Sequence, residues 1–249
     1  MLQPLKIYQS LLGAKGRKEH GLFLLEGPKT ISDLLEGGYP FQEVFVDETQ
    51  AEALKKQYPV IFLHSALRFL ESKSIVKLSD TVTSQGIIAV ASLPVPAHIT
   101  HGTVLAFNGI QDPGNAGTLV RTAIAMGITQ ILFDEKSADP FSPKTLRSSS
   151  GNILKAQIQR TDNLESQLHS LKAKGFTLCA LEASASQSID EIKLPEPRVL
   201  IAGSEGQGID PKITEMSDVH VRINIQDVES LNVTIAAAIA LYELAGKKK

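Results

Sequence analysis

The chain has 249 residues, of which 43% are hydrophobic and 21% are charged, and its formal net charge is −2. This length can bury a substantial core in one large or two modest domains, and the composition is ordinary for a soluble globular protein. The near-neutral charge argues against indiscriminate nucleic-acid binding, although residues 1–30 carry five Lys or Arg against two Glu. Such a local excess fits either a structured RNA substrate or a solvated helix face.

The single cysteine, Cys179, lies in the apolar segment Phe176–Leu181, which favours a small core residue over a nucleophile. One cysteine allows no intrachain disulfide, and the longest apolar run, within residues 231–244, is too short to span a bilayer. The N-terminus lacks the apolar core of a signal peptide. We therefore expect a cytoplasmic protein with neither a membrane nor a metal as partner.

Residues 1–93 are predicted to form a small α/β domain, followed by a linker at 94–102 that contains two prolines and has no periodicity. Short apolar runs predict strands at Leu22–Leu25, Glu43–Val46, Val60–Leu63 and Gly86–Ala91. The intervening segments predict helices at Pro28–Glu36, Ala51–Tyr58 and Ala66–Ser72, the last of them capped by Ser65.

From residue 103 to residue 249, strands and helices alternate, which predicts a mostly parallel sheet covered on both faces. Strands are expected at Thr103–Phe107, Gln130–Phe133, Ala156–Gln159, Phe176–Leu181, Arg198–Ala202 and Val219–Ile225. Helices are expected near Gly117–Met126, Pro143–Ser150, Leu164–Lys174, Ile189–Ile192, Pro211–Met216 and Val228–Leu244. Small and aliphatic residues fill nearly every turn of the last helix, so we expect it to be buried on most of its circumference, with Ser230 and Asn232 at its start as capping residues.

Ligands of such sheets bind at loops beyond the carboxyl ends of the strands, and three loops there carry polar residues. The first, Asn108–Ala123, makes a turn at Asp112–Asn115 just before a helix. A helix N-terminus suits a phosphate, Arg121 adds a cation, and Asn115 is a possible cap. A capped helix with a solvated arginine is the alternative.

The second loop, Gly203–Asp210, has three glycines within six residues, which lets a backbone approach a ligand closely. Its Glu205 is a candidate general base, a partner for Arg121, or an acceptor for a hydroxyl or amine. The loop fits neither the dinucleotide fingerprint nor the phosphate-binding P-loop, and a flexible turn is the alternative. The third loop, Gln226–Asn232, leads into the last helix.

Three motifs in these loops resemble, in order and spacing, those of the SpoU (TrmH-like) branch of the SPOUT RNA methyltransferases. They are Asn115-x-Gly117-x-x-x-Arg121-Thr122-Ala123, Gly203-Ser204-Glu205-Gly206-x-Gly208 and Glu229-Ser230-Leu231-Asn232-Val233-Thr234-x-Ala236. The resemblance covers residues 103–246. Residues 10–92, with Arg17 and Phe23–Gly27, are similar to the family's smaller N-terminal RNA-binding domain.

The resemblance implies an α/β fold with a deep C-terminal trefoil knot, S-adenosylmethionine held in that knot, and a homodimer. It also implies methylation of a ribose 2′-hydroxyl in ribosomal or transfer RNA. Carried over by position, it implies a catalytic role for Arg121, Asn115, Glu205, Ser230 and Asn232 and cofactor contacts from Gly203, Ile223 and Leu231. RNA contacts are expected from Arg17, Lys144 and Arg147, although a polar helix face is the alternative for the last two.

The expected chemistry of Arg121 follows from its charge. A guanidinium stays protonated at neutral pH, so we favour a role in which it grips the phosphate beside the target ribose and stabilises the developing alkoxide. DNA lacks the 2′-hydroxyl, so the activity should discriminate against DNA.

The third motif departs from the family pattern. Family members usually have Ile-Pro followed by a glycine, whereas this chain has Asn224 in place of the proline, no glycine before Glu229, and one residue fewer. We therefore expect an altered cofactor loop. The alternatives are an RNA-binding protein of the same fold without methyltransferase activity, a tRNA-directed enzyme, and an unrelated α/β enzyme with a nucleotide cofactor at Gly203–Gly208.

Overall fold

The computed structural model describes residues 5–96, 98–228 and 230–245. The chain divides into two compact units. The first contains the chain up to Val95 together with Phe141–Gly151, and the second contains Pro96–Pro140 and the chain from Asn152 onward. The sequence pattern did not indicate that residues 141–151 belong to the first unit, and the domain ranges 1–93, 94–102 and 103–249 stay a prediction.

The regular elements alternate along most of the described chain. The strands are β1 (Leu22–Glu26), β2 (Glu43–Asp47), β3 (Leu67–Leu70), β4 (Ile87–Ser92), β5 (Thr103–Asn108), β6 (Gln130–Asp134), β7 (Gln157–Thr161), β8 (Thr177–Leu181), β9 (Gln187–Ser188), β10 (Arg198–Gly203) and β11 (Val219–Arg222). The α-helices are α1 (Leu5–Ser10), α2 (Ala14–His20), α3 (Pro28–Glu36), α4 (Ala51–Gln57), α5 (Ser72–Leu78), α6 (Pro113–Ala125), α7 (Pro143–Ser148), α8 (Leu164–Ala173), α9 (Pro211–Met216) and α10 (Val233–Ala245). Short 3₁₀ helices occupy Pro59–Leu63, Asn152–Lys155 and Ile189–Glu191.

The first unit contains a mixed four-stranded sheet in the order β1-β4-β2-β3. Strand β4 runs antiparallel to β1 and β2, while β3 runs parallel to β2. Tyr8 and Leu11 from the helical N-terminus pack with Phe45 and Ile88 of the sheet in a buried cluster. This core confirms the expected small N-terminal α/β fold.

Two predicted elements of the first unit are wrong. Val60–Leu63 is not a strand but part of a 3₁₀ helix opened by Pro59, in which Ile61 is buried and Leu63 is 83% exposed. The strand instead comes at Leu67–Leu70, inside the helix predicted for Ala66–Ser72, and Ser65 caps no helix. A short apolar run does not distinguish the two structures, and pairing with β2 selects the later one.

The second unit contains a seven-stranded sheet in the order β7-β6-β5-β10-β8-β11-β9, and every pair in it is parallel. This confirms the predicted fold class. On one face, α8 and α9 contribute to a core with Val104, Leu178 and Ile201. Because all strands run the same way, the loops after β5, β10, β8 and β11 emerge at one edge. We call this the carboxyl edge and the opposite one the amino edge.

The burial predicted for the last helix is wrong for the single chain. Helix α10 begins at Val233, and Asn232 caps it, its Oδ1 accepting from the backbone N–H of Thr234 at 2.9 Å. One side is buried, but Ile235, Ile239 and Tyr242 are 52%, 37% and 49% exposed. Their spacing of four and three residues places them on one stripe of the helix. No helix in the described ranges is long and apolar enough to cross a bilayer.

Candidate active site

A cavity of about 390 Å³ lies at the carboxyl edge of the second unit. Its described lining comes from residues 181–184 after β8, residues 202–209 at the end of β10, and residues within 223–236 after β11. These three strands are neighbours in the order β10-β8-β11. Segments that are far apart in sequence therefore form one concave site because their strands end side by side.

The glycine-rich wall of the cavity is a tight turn. Ser204 and Gly208 exchange two backbone hydrogen bonds of 3.0 Å, and the Ser204 hydroxyl accepts from the N–H of Gln207 at 3.1 Å. Gly208 has a φ of +68°, and a Cβ at Gly203 would collide with the backbone of Gly208 and Ile209. This backbone therefore requires glycine at both positions and leaves its main chain close to the cavity.

Asn115 joins the three sequence motifs through its side chain. Its amide nitrogen donates to Oε1 of Glu205 in the second motif, and its amide oxygen accepts from Oγ1 of Thr234 in the third motif at 3.1 Å. Thr234 is 7% exposed. We call Asn115, Glu205 and Thr234 the motif bridge. It brings the first and third motifs to the cavity wall that carries Glu205.

The sequence suggested Asn115 as a cap of helix α6, but Asn115 does not cap it. The cap is Asp112, whose carboxylate accepts from the backbone N–H of Asn115 at 2.9 Å. Asp112 thus fixes the first turn of the helix and leaves the side chain of Asn115 available for Glu205 and Thr234.

Arg121 lies on helix α6, six residues beyond Asn115, and is exposed. At about 100° per residue, six residues amount to about 600°, so its side chain leaves the helix on a different side from Asn115. It is not among the described residues that line the cavity. Its catalytic role stays a prediction, and a single protomer does not bring it to the cavity wall.

The other predicted cofactor and catalytic residues lie at or beside the cavity. Gly203, Ile223, Ser230 and Leu231 line it, and Asn232 caps the helix that follows. The motif residue Glu229 lies outside the described residues. Apolar side chains such as Ile223 and Leu231 suit an adenine ring, and the glycine turn suits a ligand recognised by backbone groups. The lining therefore fits S-adenosylmethionine, although the individual roles stay predictions.

The altered third motif bends at residues 226–228 without a glycine. Asp227 adopts a φ of +61°, a left-handed conformation that Asp and Asn tolerate better than most residues. Asn224, which stands where the family has proline, accepts from Nε of Arg222 at 3.3 Å. Arg222 also donates to the carbonyl of Ala185 at 3.1 Å, next to the 181–184 wall. These hydrogen bonds of Arg222 thus connect the start of the third motif loop to Asn224 and to the segment after β8.

Sequence reasoning missed two residues of the site. Thr234 stood inside the third motif without an assigned role. Glu182 lines the cavity, and its carboxylate accepts from the Thr214 hydroxyl at 2.8 Å and lies 2.8 Å from Nδ1 of His220. No local pattern identified Glu182, because its partners come from helix α9 and strand β11.

The three predicted RNA-contacting residues lie in the first unit and differ in exposure. Arg17 is 4% exposed and donates to the carbonyls of Leu11 and Leu12 at 2.7 and 2.9 Å, which fixes the turn between α1 and α2. Arg17 is thus buried in the chain by itself, and its RNA contact stays a prediction. Arg147 forms an ion pair with Asp80 and is partly exposed, while Lys144 is exposed.

Two other sequence expectations concern the single cysteine and a metal ion. Cys179 is fully buried, and this burial raises the pKa of its thiol to about 12, so it has little thiolate character at neutral pH. Within the ranges that the structure describes, no group of three or more His, Cys, Asp or Glu could hold a metal ion.

Comparison with known proteins supports one family over nearly the whole chain. The SpoU rRNA Methylase family matches residues 102–242, and the MRM3-like substrate binding domain matches residues 3–89. The 23S rRNA (guanosine(2553)-2′-O)-methyltransferase RlmP of Bacillus subtilis is 32% identical over 246 residues, which cover 98% of this chain and 96% of the relative. An uncharacterized tRNA/rRNA methyltransferase of Synechocystis is 34% identical, covering 96% of this chain and 89% of the relative.

Solved structures show the same fold. A TrmH-family protein from Porphyromonas gingivalis, described as a candidate RNA methyltransferase, has a TM-score of 0.83 and 31% identity, with 98% of each chain covered. An rRNA methyltransferase from Sinorhizobium meliloti, solved with S-adenosylmethionine bound, has a TM-score of 0.78 and 26% identity. That alignment covers 96% of this chain and 92% of the other.

Proposed function

The chain belongs to the SpoU family of RNA methylases, and we propose that it transfers a methyl group from S-adenosylmethionine to a ribose 2′-hydroxyl of structured RNA. The motif bridge carries this proposal, because it joins the polar residues of all three motifs beside one nucleoside-sized cavity. The similarity to the RlmP enzyme supports ribosomal RNA as the substrate.

In this proposal the glycine turn at Gly203–Gly208 and the apolar residues Ile223 and Leu231 hold the nucleoside part of the cofactor. When bound, S-adenosylmethionine supplies the electrophilic methyl carbon. The protein's task is then to orient the two reactants and exclude water, which converts the transfer into an effectively unimolecular step.

The polar side chains have distinct tasks. Asn115 is fixed from both ends of its amide, so it holds the Glu205 carboxylate in one place, where Glu205 can accept a hydrogen bond from the substrate or cofactor. Ser230 lines the same cavity and offers a hydroxyl. Arg121 contributes a permanent positive charge that binds the phosphate next to the target ribose and stabilises the developing alkoxide.

A homodimer is part of this proposal. Ile235, Ile239 and Tyr242 form an exposed apolar stripe on α10, and α10 packs against α6, the helix that carries Arg121. A second copy seated on the stripe would remove apolar surface from water. It would also bring a second surface next to the helix that carries Arg121, which is not among the described residues that line the cavity.

The trefoil knot is also part of the proposal. Residues 223–231 share the cavity with residues 202–209 although the strands that precede them, β11 and β10, are separated by β8. This proximity supports a C-terminal segment that passes through the loop after β10.

Transfer of tritium from labelled S-adenosylmethionine tests the proposal. The substrate is ribosomal RNA from cells that lack the gene, with tRNA from the same cells as the second arm. We expect base-stable label in the ribosomal RNA. Label confined to tRNA would support the tRNA-directed alternative, and RNA binding without label would support a non-catalytic RNA-binding protein.

The glycine-rich loop raises one further alternative, an unrelated nucleotide enzyme. Calorimetry with S-adenosylhomocysteine, NAD and ATP separates the two. We expect binding of S-adenosylhomocysteine alone, and tighter binding of NAD or ATP would contradict the proposed cofactor.

A further inference from the structure

A buried carboxylate, Asp134, organises the start of the first motif loop. It ends strand β6, is 4% exposed, and accepts hydrogen bonds from the backbone N–H groups of Gly109 and Ser137 at 3.0 and 2.8 Å. The Ser137 hydroxyl also donates to it. That hydroxyl in turn accepts from the N–H of Ile110 at 3.0 Å. The backbone at residues 109–110 is therefore held by the loop after the neighbouring strand.

Asn108 extends this network to the second motif loop. It ends strand β5 and is 8% exposed. Its amide nitrogen donates to Oδ2 of Asp134 at 3.3 Å, and its amide oxygen accepts from the backbone N–H of Asp210 at 2.7 Å. The Asp210 carboxylate then accepts from the N–H of Lys212 and caps helix α9. One amide thus connects the beginning of the first motif loop to the end of the second.

Strand pairing alone does not set the relative position of these loops. The ladder between β5 and β10 ends at the pair Asn108 and Gly203, and both loops continue beyond it without ladder bonds to each other. Yet Asn115 and Glu205, farther along the same two loops, must meet in a hydrogen bond. The amide of Asn108 supplies at once a donor to Asp134 and an acceptor for the N–H of Asp210, so one side chain spans the gap between the two loops.

We propose that Asn108 and Asp134 are positioning residues that hold the first and second motif loops in register, so that Asn115 reaches Glu205 and the glycine turn keeps its cofactor-binding shape. The inference rests on the proposed function for the roles of Asn115 and Glu205. Its own readout is the binding of S-adenosylhomocysteine, which needs no RNA substrate.

The network predicts different effects for two variants. Asn108→Ala removes the acceptor for the N–H of Asp210 and so frees the end of the second motif loop from the first. The Kd for S-adenosylhomocysteine should rise about tenfold and hydrogen exchange at residues 203–210 should become faster, because small misplacements are costly. Ser137→Ala removes the acceptor for the N–H of Ile110 and one donor to Asp134, while Gly109 stays bonded to Asp134. Ile110 does not line the described cavity. The variant should lower kcat about tenfold and leave that Kd within about twofold of wild type.

Thr103→Val is the matched control. Thr103 begins the same strand β5 at the amino edge, is 7% exposed, and hydrogen-bonds with Glu196 and Arg198 there. Its loss should lower the melting temperature as Asn108→Ala does and leave both the Kd and the exchange at 203–210 unchanged.

The inference would be overturned if Asn108→Ala lowered the melting temperature as the control does but kept the Kd for S-adenosylhomocysteine within twofold of wild type. If Asn108→Ala does not fold, Ser137→Ala is the test. A decrease in kcat without a change in Kd supports the inference, and an unchanged kcat contradicts it. A wild type that binds S-adenosylhomocysteine but labels no RNA would defeat the proposed function and leave the binding comparison valid.

Discussion

Both edges of the parallel sheet bury polar side chains, but they use them differently. At the amino edge, Arg198 is 9% exposed and donates to the Thr103 hydroxyl at 2.9 Å and to the carbonyls of Leu194 and Leu244. These partners fix the C-terminal end of α10. At the carboxyl edge, the buried side chains of Asn108 and Asp134 link the first two motif loops, and the half-buried Asn115 joins all three motifs beside a cavity. Buried polarity alone therefore does not mark a site, whereas polarity shared between loops beside a cavity does.

Arg121 offers the largest expected effect at the carboxyl edge. Arg121→Ala should lower turnover at least ~100-fold, because a positioned electrostatic group typically contributes this much. The Kd for S-adenosylhomocysteine should stay near the wild-type value, since Arg121 does not line the described cavity. Single-turnover methyl transfer and calorimetry measure the two quantities.

Thr118→Ala is the control for Arg121→Ala. Thr118 is also exposed on α6, and its hydroxyl donates to the Gly114 carbonyl at 2.8 Å within the same helix. It should keep wild-type turnover. Near-wild-type turnover in Arg121→Ala would remove this arginine from the mechanism.

A variant of Arg198 tests whether the amino edge contributes to stability rather than to turnover. Arg198→Met should lower the free energy of unfolding by about 2–3 kcal/mol, because the buried carbonyls of Leu194 and Leu244 lose their donor. Turnover per folded molecule should not change. Urea unfolding followed by circular dichroism gives the first quantity, and activity at saturating cofactor gives the second. A selective loss of turnover would mean that the two edges do not differ as proposed.

Thr234 tests whether the motif bridge acts through orientation. Thr234→Val keeps the shape but removes the donor to Asn115, so the amide loses one of its two anchors. We expect about a tenfold decrease in kcat with little change in KM, equivalent to roughly 1.4 kcal/mol. Steady-state kinetics on the RNA substrate measures both constants.

Thr234→Ser serves as the conservative variant, because it retains the hydroxyl. It should restore most of the turnover lost in Thr234→Val. Equal losses in the two variants would mean that the methyl group, rather than the hydrogen bond, is what the site requires.

The sequence was sufficient to predict most of the elements of the second unit in order and the cavity-lining loops after β10 and β11, but not the lining at residues 181–184 after β8. Alternating strands and helices identify a parallel sheet, and a parallel sheet places its strand-end loops at one edge. Contacts across the chain were not predictable: the Thr234 bond to Asn115 spans 119 positions, and the partners of Glu182 come from two other elements.

The failed predictions share a physical cause, which is that local pattern does not determine tertiary partners. The run Val60–Leu63 is more apolar than the strand Leu67–Leu70, which contains Arg68, yet it is the later segment that pairs with β2. Helix α10 is apolar on all sides, so its composition did not reveal that Ile235, Ile239 and Tyr242 remain exposed in one protomer.

The smallest expected effect is that of Asp227→Gly, which places a glycine in the third motif, where the family usually has one and this chain has none. In the folded state, a left-handed conformation costs a typical non-glycine residue about 1–2 kcal/mol, and Asp less. Glycine avoids this cost, but its more flexible unfolded chain lowers the free energy of unfolding by roughly 0.4–1 kcal/mol. The two effects nearly cancel, so Asp227→Gly should change the free energy of unfolding by no more than about 0.5 kcal/mol. Denaturant unfolding with and without S-adenosylhomocysteine measures this change and its coupling to the cavity.

Asp227→Val tests the same backbone from the other side. A β-branched residue is poorly suited to a φ of +61°, so the variant should lose about 1–2 kcal/mol and bind S-adenosylhomocysteine more weakly, because residues 223 and 225 on the same loop line the cavity. If valine and glycine were tolerated equally, the left-handed turn would not matter for the cavity. The missing family glycine would then carry no structural consequence in this chain.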